Sequence, residues 1–183
     1  AHCPGSARTH KETELTGRTV GWMLLIVVAL TTIGCDRVTK DAAATRLSEA
    51  RDHSYLADTV RLEYAENSGG FLSLGASLPP VARTAFFTVA AGLLLLGLVL
   101  LAIRRSIVGL PALGLTLFAA GGASNWIDRI VRGSVVDFLN VGIGSIRTGV
   151  FNLADVAIVL GAGLFIVSEL RRGRASSTES IGS

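Results

Sequence analysis

The sequence predicts an α-helical integral membrane protein: four transmembrane helices, with a small β-sheet or extended cradle on the outer surface of the membrane. Three observations predict it. Half of the 183 residues are hydrophobic and only 17% are charged, with a mean hydropathy of +0.54, more apolar than an ordinary soluble domain. Four stretches, about residues 20–35, 81–103, 107–128 and 154–171, approach the roughly 20 apolar residues that a helix needs to cross the hydrocarbon. The segments 36–80 and 129–153 between them alternate in polarity or are broken by glycine, and so read as extended.

Taken in order, residues 1–19 (AHCPGSARTHKETELTGRT) show no apolar periodicity and read as a disordered tail on the cytoplasmic side. The first span closes on "TTIGCDRVTK", Thr31 to Lys40. Gly34-Cys35 after an apolar helix is how the cleavage site of a lipoprotein signal peptide looks. Three later spans argue instead that this helix is retained, and Thr32 stands where such a site prefers leucine. Cys35 then reads as a small buried thiol, and with Cys3 as the only other cysteine no disulfide framework is implied.

In the first outer segment, Val60, Leu62 and Tyr64 alternate with Arg61 and Glu63, the period of a half-exposed strand. "ENSGGFLSLG" then supplies turn residues, and Pro79-Pro80 stops the extended chain before the second span. The second outer segment, "RGSVVDFLNVGIGSIRTGVFNLAD", is too glycine-broken for one helix and too β-branched for an irregular loop. It reads as extended, with turns at Gly142, Gly144 and Gly149. Residues 173–183 are small and polar and read as a second disordered tail, leaving one membrane domain over 20–172. Four spans put both termini on one side. Arg104-Arg105 and Arg171-Arg172 abut helix ends directly, which favours the cytoplasm for that side.

At the opposite ends of the spans the polar residues collect: Asp36 and Lys40, Asn67, Asn125 with Asp128 and Arg129, Asp137, and Asn152 with Asp155. Ionisable groups at membrane depth are candidates for function. Several also have structural readings. Asn152 and Asp155 suit a helix start, as cap and first-turn acid. Asn125 and Arg129 share a helix face, where an arginine can snorkel. Asp36 and Lys40, also four apart, read as an exposed ion pair worth little. Asp137 in "SVVDFL" has no such reading, being apolar on both sides with no partner in sequence.

Two carboxylates held together would share one proton, leaving one acid and one base at neutral pH. That pair suits water-mediated peptide hydrolysis. Other chemistries lack their parts: His2, His10 and His53 lie in the tail and loop, no HExxH or Cys/His metal spacing occurs, and no cofactor motif is present. A small transporter relaying protons is the rival reading, but it calls for polar residues at mid-membrane, where this chain reads "LLLLGLVLL".

"GSVVDF" and "FNLAD", preceded by "SNWIDRI", occur in the order found in prolipoprotein signal peptidase (signal peptidase II), a family of membrane aspartic proteases that the core resembles from first span to last. The resemblance implies that Asp137 and Asp155 are the catalytic aspartates. It likewise implies that Asp36, Lys40, Asn67, Gly69, Asn125, Asp128, Arg129 and Asn152 line or support the site. It implies four transmembrane helices with a small sheet and a short helix on the periplasmic surface of the bacterial inner membrane. The implied substrates are diacylglyceryl-modified prolipoproteins cut before the lipidated cysteine, by a monomer in contact with membrane lipids and with no nucleic acid. One loop departs from the family's Asn-x-Gly-Ala-Ala-Phe: in "NSGGFL", Asn67 and Gly69 match, Gly70 replaces alanine, and Leu72 takes the place of phenylalanine. Its adjacent glycines suit a loop that closes over substrate.

Overall fold

A computed structural model of the chain describes residues 5–47, 52–68 and 79–181. Four long helices carry the fold: α1 (Gly5–Arg46), α2 (Pro80–Arg104), α3 (Leu110–Arg132) and α4 (Leu153–Ile181). Between α1 and α2 lie strands β1 (His53–Tyr55) and β2 (Val60–Asn67); between α3 and α4 lie β3 (Val135–Ile143) and β4 (Ile146–Arg147). The strands make one antiparallel sheet in the order β1-β2-β3-β4. The expected strands are therefore present in both segments, 36–80 and 129–153. No short separate helix lies among the described residues of these segments, and Gly69, with most of the "NSGGFL" loop, lies outside them.

Three helical stretches are long and apolar enough to cross a membrane: Thr19–Arg46, Ala85–Arg104 and Leu153–Arg174. Their flanks leave large apolar side chains uncovered, among them Leu24 and Leu30 on α1, Leu93 and Leu96 on α2, and Val159 and Leu160 on α4. A water-soluble surface rarely carries such belts. The expected fourth span, residues 107–128, corresponds to α3. It is not among the three, because Thr116, Ser124, Asn125 and Asp128 interrupt its apolar character.

Two expectations are corrected. The extensions at residues 1–19 and 173–183 were expected to lack regular structure, yet helix runs from Gly5 and on to Ile181. Once a long apolar segment has nucleated a helix, each added residue forms a bond at little further cost, and neither 5–19 nor 173–181 contains a proline. Cys35 is exposed, not buried. It lies on the face of α1 away from Asp36 and Lys40, the face that packs inward.

α3 is central, packing against α1, α2 and α4. Trp126 on α3 donates from Nε1 to the Thr88 carbonyl of α2 at 2.8 Å. Against α4 the backbones approach closely. A Cβ on Gly161 would lie 2.5 Å from the Gly114 carbonyl oxygen, and one on Gly121 would lie 2.4 Å from that of Ala154. In lipid there is little hydrophobic drive between helices, so close approach of small residues supplies the packing.

α3 ends at Gly133, whose left-handed φ of 76° lets its N–H return to the Arg129 carbonyl at 3.1 Å and turns the chain into β3. At the distal edge, the Phe151 N–H and carbonyl bond Leu139 of β3, folding the chain back before α4 begins. Gly121→Ala should therefore push α4 off α3 and lower stability by about 1–3 kcal/mol. Gly97→Ala, with open space around Gly97, should be neutral or stabilising; paired thermal unfolding curves in detergent compare the two.

Candidate active site

The start of α4 is built by two side chains on each other's backbone. Asn152 Oδ1 accepts the Asp155 N–H at 3.0 Å, and the Asn152 N–H donates to Asp155 Oδ2 at 3.1 Å. This reciprocal cap satisfies donors that a helix start leaves without partners. It also fixes both side chains. With Asn152 Oδ1 engaged, its Nδ2 donates to Asp137 Oδ1 at 2.6 Å and to Asn125 Oδ1 at 3.2 Å. The cap of α4 and the bond to Asp137 thus come from one residue.

Asp137 reaches the same place from the sheet. Leu62 pairs with Leu139 and Ala65 with Asp137, so β2 carries one extra residue between them. Such a bulge re-aims neighbouring side chains. Asn67, paired with Val135 two residues along, donates diagonally from Nδ2 to Asp137 Oδ2 at 3.2 Å. Asp137 is 3% exposed, whereas Asp155 is half-buried. Desolvation, and next the charge of Asp155, push the Asp137 carboxyl from 3.8 up to about 6, against the hydrogen bonds from Asn67 and Asn152 and the charge of Lys40.

Behind the pair lies a fully buried ion cluster. Lys40 Nζ donates to Asn125 Oδ1 at 2.7 Å and Asp128 Oδ2 at 2.8 Å, and forms an ion pair with Asp36 Oδ2 at 2.7 Å. Asp36 and Lys40 were expected as an exposed pair; both have no exposure at all. The correction has a physical cause in α3, whose Asp128 and Asn125 complete the coordination of an ammonium that α1 alone could not hold dry. Asp36 also accepts from Ser124 Oγ at 2.7 Å and from the Ala154 N–H in the first turn of α4 at 2.8 Å. Asn125 Nδ2 then donates to Asp155 Oδ1 at 2.8 Å. Arg129 bonds the Asn125 carbonyl at 3.3 Å, and its charge acts on both Asp155 and Asp137.

Two carboxylates joined through Asn152, one buried and one half-buried, are acid–base equipment for hydrolysis. Among the described residues no cluster of His, Cys, Asp and Glu could hold a metal ion. The profile of the family described as signal peptidase (SPase) II matches residues 28–171, the stretch that holds all these groups. The chain belongs to the signal peptidase II family. It is 36% identical over 152 residues to the lipoprotein signal peptidase of Burkholderia cenocepacia, covering 81% of this chain and 89% of that protein. It is 30% identical over 159 residues to that of Syntrophus aciditrophicus, covering 85% and 97%. A solved bacterial membrane enzyme superposes with a TM-score of 0.70 at 26% identity, over 81% of this chain and 88% of that one.

Of the family positions expected at the site, all but Gly69 lie among the described residues, and the structure brings them together. Two members were not anticipated. Arg37 pairs with Asp128 Oδ1 and bonds the Ser124 carbonyl at 3.1 Å, and Ser124 fills one oxygen of Asp36. Arg37 stands between Asp36 and Lys40 in sequence, where it reads as an ordinary charge at a helix end. In this signal peptidase II, Asn152→Ala should cost about 1 kcal/mol as a lost cap. It should also release Asp137, so activity should fall far more than the shift in unfolding temperature accounts for, as cleavage assays and unfolding on the same preparation will measure.

Proposed function

We propose that this peptidase removes the signal peptide from diacylglyceryl-modified prolipoproteins, cutting before the lipidated cysteine with water and the pair Asp137 and Asp155. The observation that carries the assignment is the amide bridge: Asn152 ties Asp137 to the cap of α4, and Asn125 ties Asp155 to α3. An aspartate from a strand and another from a helix start thus share one polar frame. The ionised member takes a proton from water as it attacks the scissile carbonyl, and the protonated member supplies the developing oxyanion. The bare apolar run of α2 offers nothing for the relay that a proton transporter requires.

We further propose that α3 completes a four-helix crossing, with one domain over residues 20–172 acting as a monomer in the inner membrane. The site residues lie at the C-terminal ends of α1 and α3 and the N-terminal end of α4, while Arg104, Arg105, Arg171 and Arg172 lie at the other ends. That asymmetry supports cytoplasmic termini and a site near the outer face, under the sheet. The substrate's diacylglyceryl group would lie in lipid and its apolar signal helix against the uncovered flanks of the bundle, so positioning the scissile bond requires little further ordering.

Asp137→Asn and Asp155→Asn should each reduce cleavage of a lipidated precursor below about a hundredth of wild type, with membrane insertion and folded yield intact; substantial turnover in either would remove the dyad. The pH profile carries a second check. An Asp137 carboxyl raised to about 6 holds its proton from the ordinary value of 3.8 up to that pH, so the shared proton is lost only above it. The alkaline limb of kcat/KM should accordingly lie no lower than about pH 6, and a limb near 4 would contradict the shared-proton mechanism.

A further inference from the structure

We propose that a recess at the end of the bundle opposite the aspartates binds an anionic phospholipid, Arg105 and Arg172 holding its phosphate and apolar walls taking its glycerol and the first carbons of its chains. The leaflet that supplies the lipid, the inner one, follows from the orientation proposed above.

The recess measures about 660 Å³ and lies where the ends of α2, α3 and α4 meet the α2–α3 connection, a size that accommodates a small ligand. It exists because α2 packs on α3 and, among the described residues, on no other helix, which leaves a wedge open between α2 and α4. Leu101 of α2, Val108 of the connection and Phe165 of α4 line it, together with Arg105 just past the end of α2 and Arg172 of α4. Pro111 brings in the start of α3. Asn125 stands fourteen residues further along that helix, about 21 Å at 1.5 Å per residue, so the recess is separate from the aspartate frame.

Charge selects the ligand. Residues 101–111 and 165–174 carry five arginines and one acid, Glu169. Glu169 accepts from Nη1 of Arg172 at 3.3 Å in an exposed pair, which holds an arginine only weakly. Arg105 has no ion-pair partner among the described residues. Guanidinium forks match phosphate oxygens, and basic pockets between helices at a membrane surface suit phospholipid headgroups. A free anion would engage the cations alone. Leu101 and Val108, both exposed, offer in addition the surface that acyl chains need, which favours lipid.

The turn that closes α2 adds a polar group. The Ile107 N–H bonds the Ala102 carbonyl and the Ser106 N–H bonds that of Ile103, both at 3.3 Å, an ending whose left-handed position is usually glycine. Here Ser106 takes it, with φ of 47°, a conformation that costs a residue with a Cβ and costs glycine nothing. In exchange a hydroxyl stands at the wall of the recess. A phosphate held by Arg105 and Arg172 ties α2 to α4, two helices that do not otherwise touch among the described residues.

The full chain in dodecyl maltoside, titrated separately with dioleoylphosphatidylglycerol, dioleoylphosphatidylcholine and inorganic phosphate, tests the site, with retained lipid read by native mass spectrometry and the unfolding temperature on the same samples. Micelles have no sidedness, so the outcome is independent of the orientation, and cleavage of a lipidated precursor reports on the dyad separately. Phosphatidylglycerol should be retained and raise the unfolding temperature; the other two should do neither. Arg105→Gln with Arg172→Gln should weaken its binding roughly thirtyfold, at about fivefold for each cation near an anionic lipid. Arg104→Gln with Arg171→Gln, which removes the same charge from the same helix ends outside the recess, should weaken it far less. Ser106→Gly should fold at least as stably as wild type and bind the lipid less well. Equal losses in the two double variants would reduce the effect to diffuse surface charge and overturn the site. Equal retention of phosphatidylcholine, or stabilisation by inorganic phosphate alone, overturns the anionic-lipid assignment. Should the first double variant not fold, Arg105→Gln alone, at an exposed side chain, should show the fivefold loss, and full binding there overturns the proposal.

Discussion

The structure depends on keeping one lysine ionised with no water around it. Taking an ammonium out of water costs several kcal/mol, recovered only if every hydrogen finds a well-placed acceptor. Lys40 donates to Asn125 and Asp128 on α3 and ion-pairs with Asp36 one turn back on α1. Asp36 spends its remaining oxygen on the Ala154 N–H at the start of α4. Three helices are thereby tied at one end by bonds that cannot be traded for bonds to solvent. Because lipid supplies little hydrophobic drive between helices, such a cluster sets their relative positions more than their apolar faces do.

Close backbone contact between α3 and α4 completes the constraint. Gly114 against Gly161, and Gly121 against Ala154, leave no room for a Cβ. Gly121 lies one turn before Asn125, and Ala154 directly precedes Asp155. The same contact that packs the helices therefore sets the reach of Asn125 Nδ2 to Asp155 Oδ1, and a hydrogen bond of 2.8 Å tolerates little sliding. The sheet adds Asp137 from a third direction, through a bulge in β2 and the turn at Gly133. Stability and site geometry come from the same few contacts.

How far this was legible in sequence follows from the range of each signal. The strands were legible, since alternation at Val60, Leu62 and Tyr64 is a local property. Asp137 was legible because a carboxylate inside "SVVDFL" has no local reason to exist. Asp36 and Lys40 were misread as exposed for the complementary reason: a spacing of four describes one helix and carries no knowledge of Asp128 on another. Cys35 was misread as buried because its adjacency to Asp36 conceals that neighbours on a helix face different directions. Arg37 and Ser124 stayed hidden because an arginine at a helix end and a serine among small residues are ordinary until the partner helix is present. The helical extensions from Gly5 and to Ile181 depend on propagation from a neighbouring segment, which composition within the tails does not report.

The proposed dyad requires one carboxyl dry enough to hold a proton and another wet enough to receive one from water. A site deep in the bundle would provide the first and forbid the second; an exposed loop would do the reverse. The junction of a sheet with a helix start reconciles them. Strand β3, covered on both faces over Val135, Val136, Asp137 and Phe138, supplies the dry position. The first turn of α4 supplies the half-open position, with Asp155 held by the Asn152 N–H and the Asn125 amide. Asn152 belongs to both environments, accepting from Asp155 and donating to Asp137, so neither aspartate can shift without the other. The buried lysine behind them then acts at a distance of one amide, holding Oδ1 of Asn125 so that its Nδ2 meets Asp155.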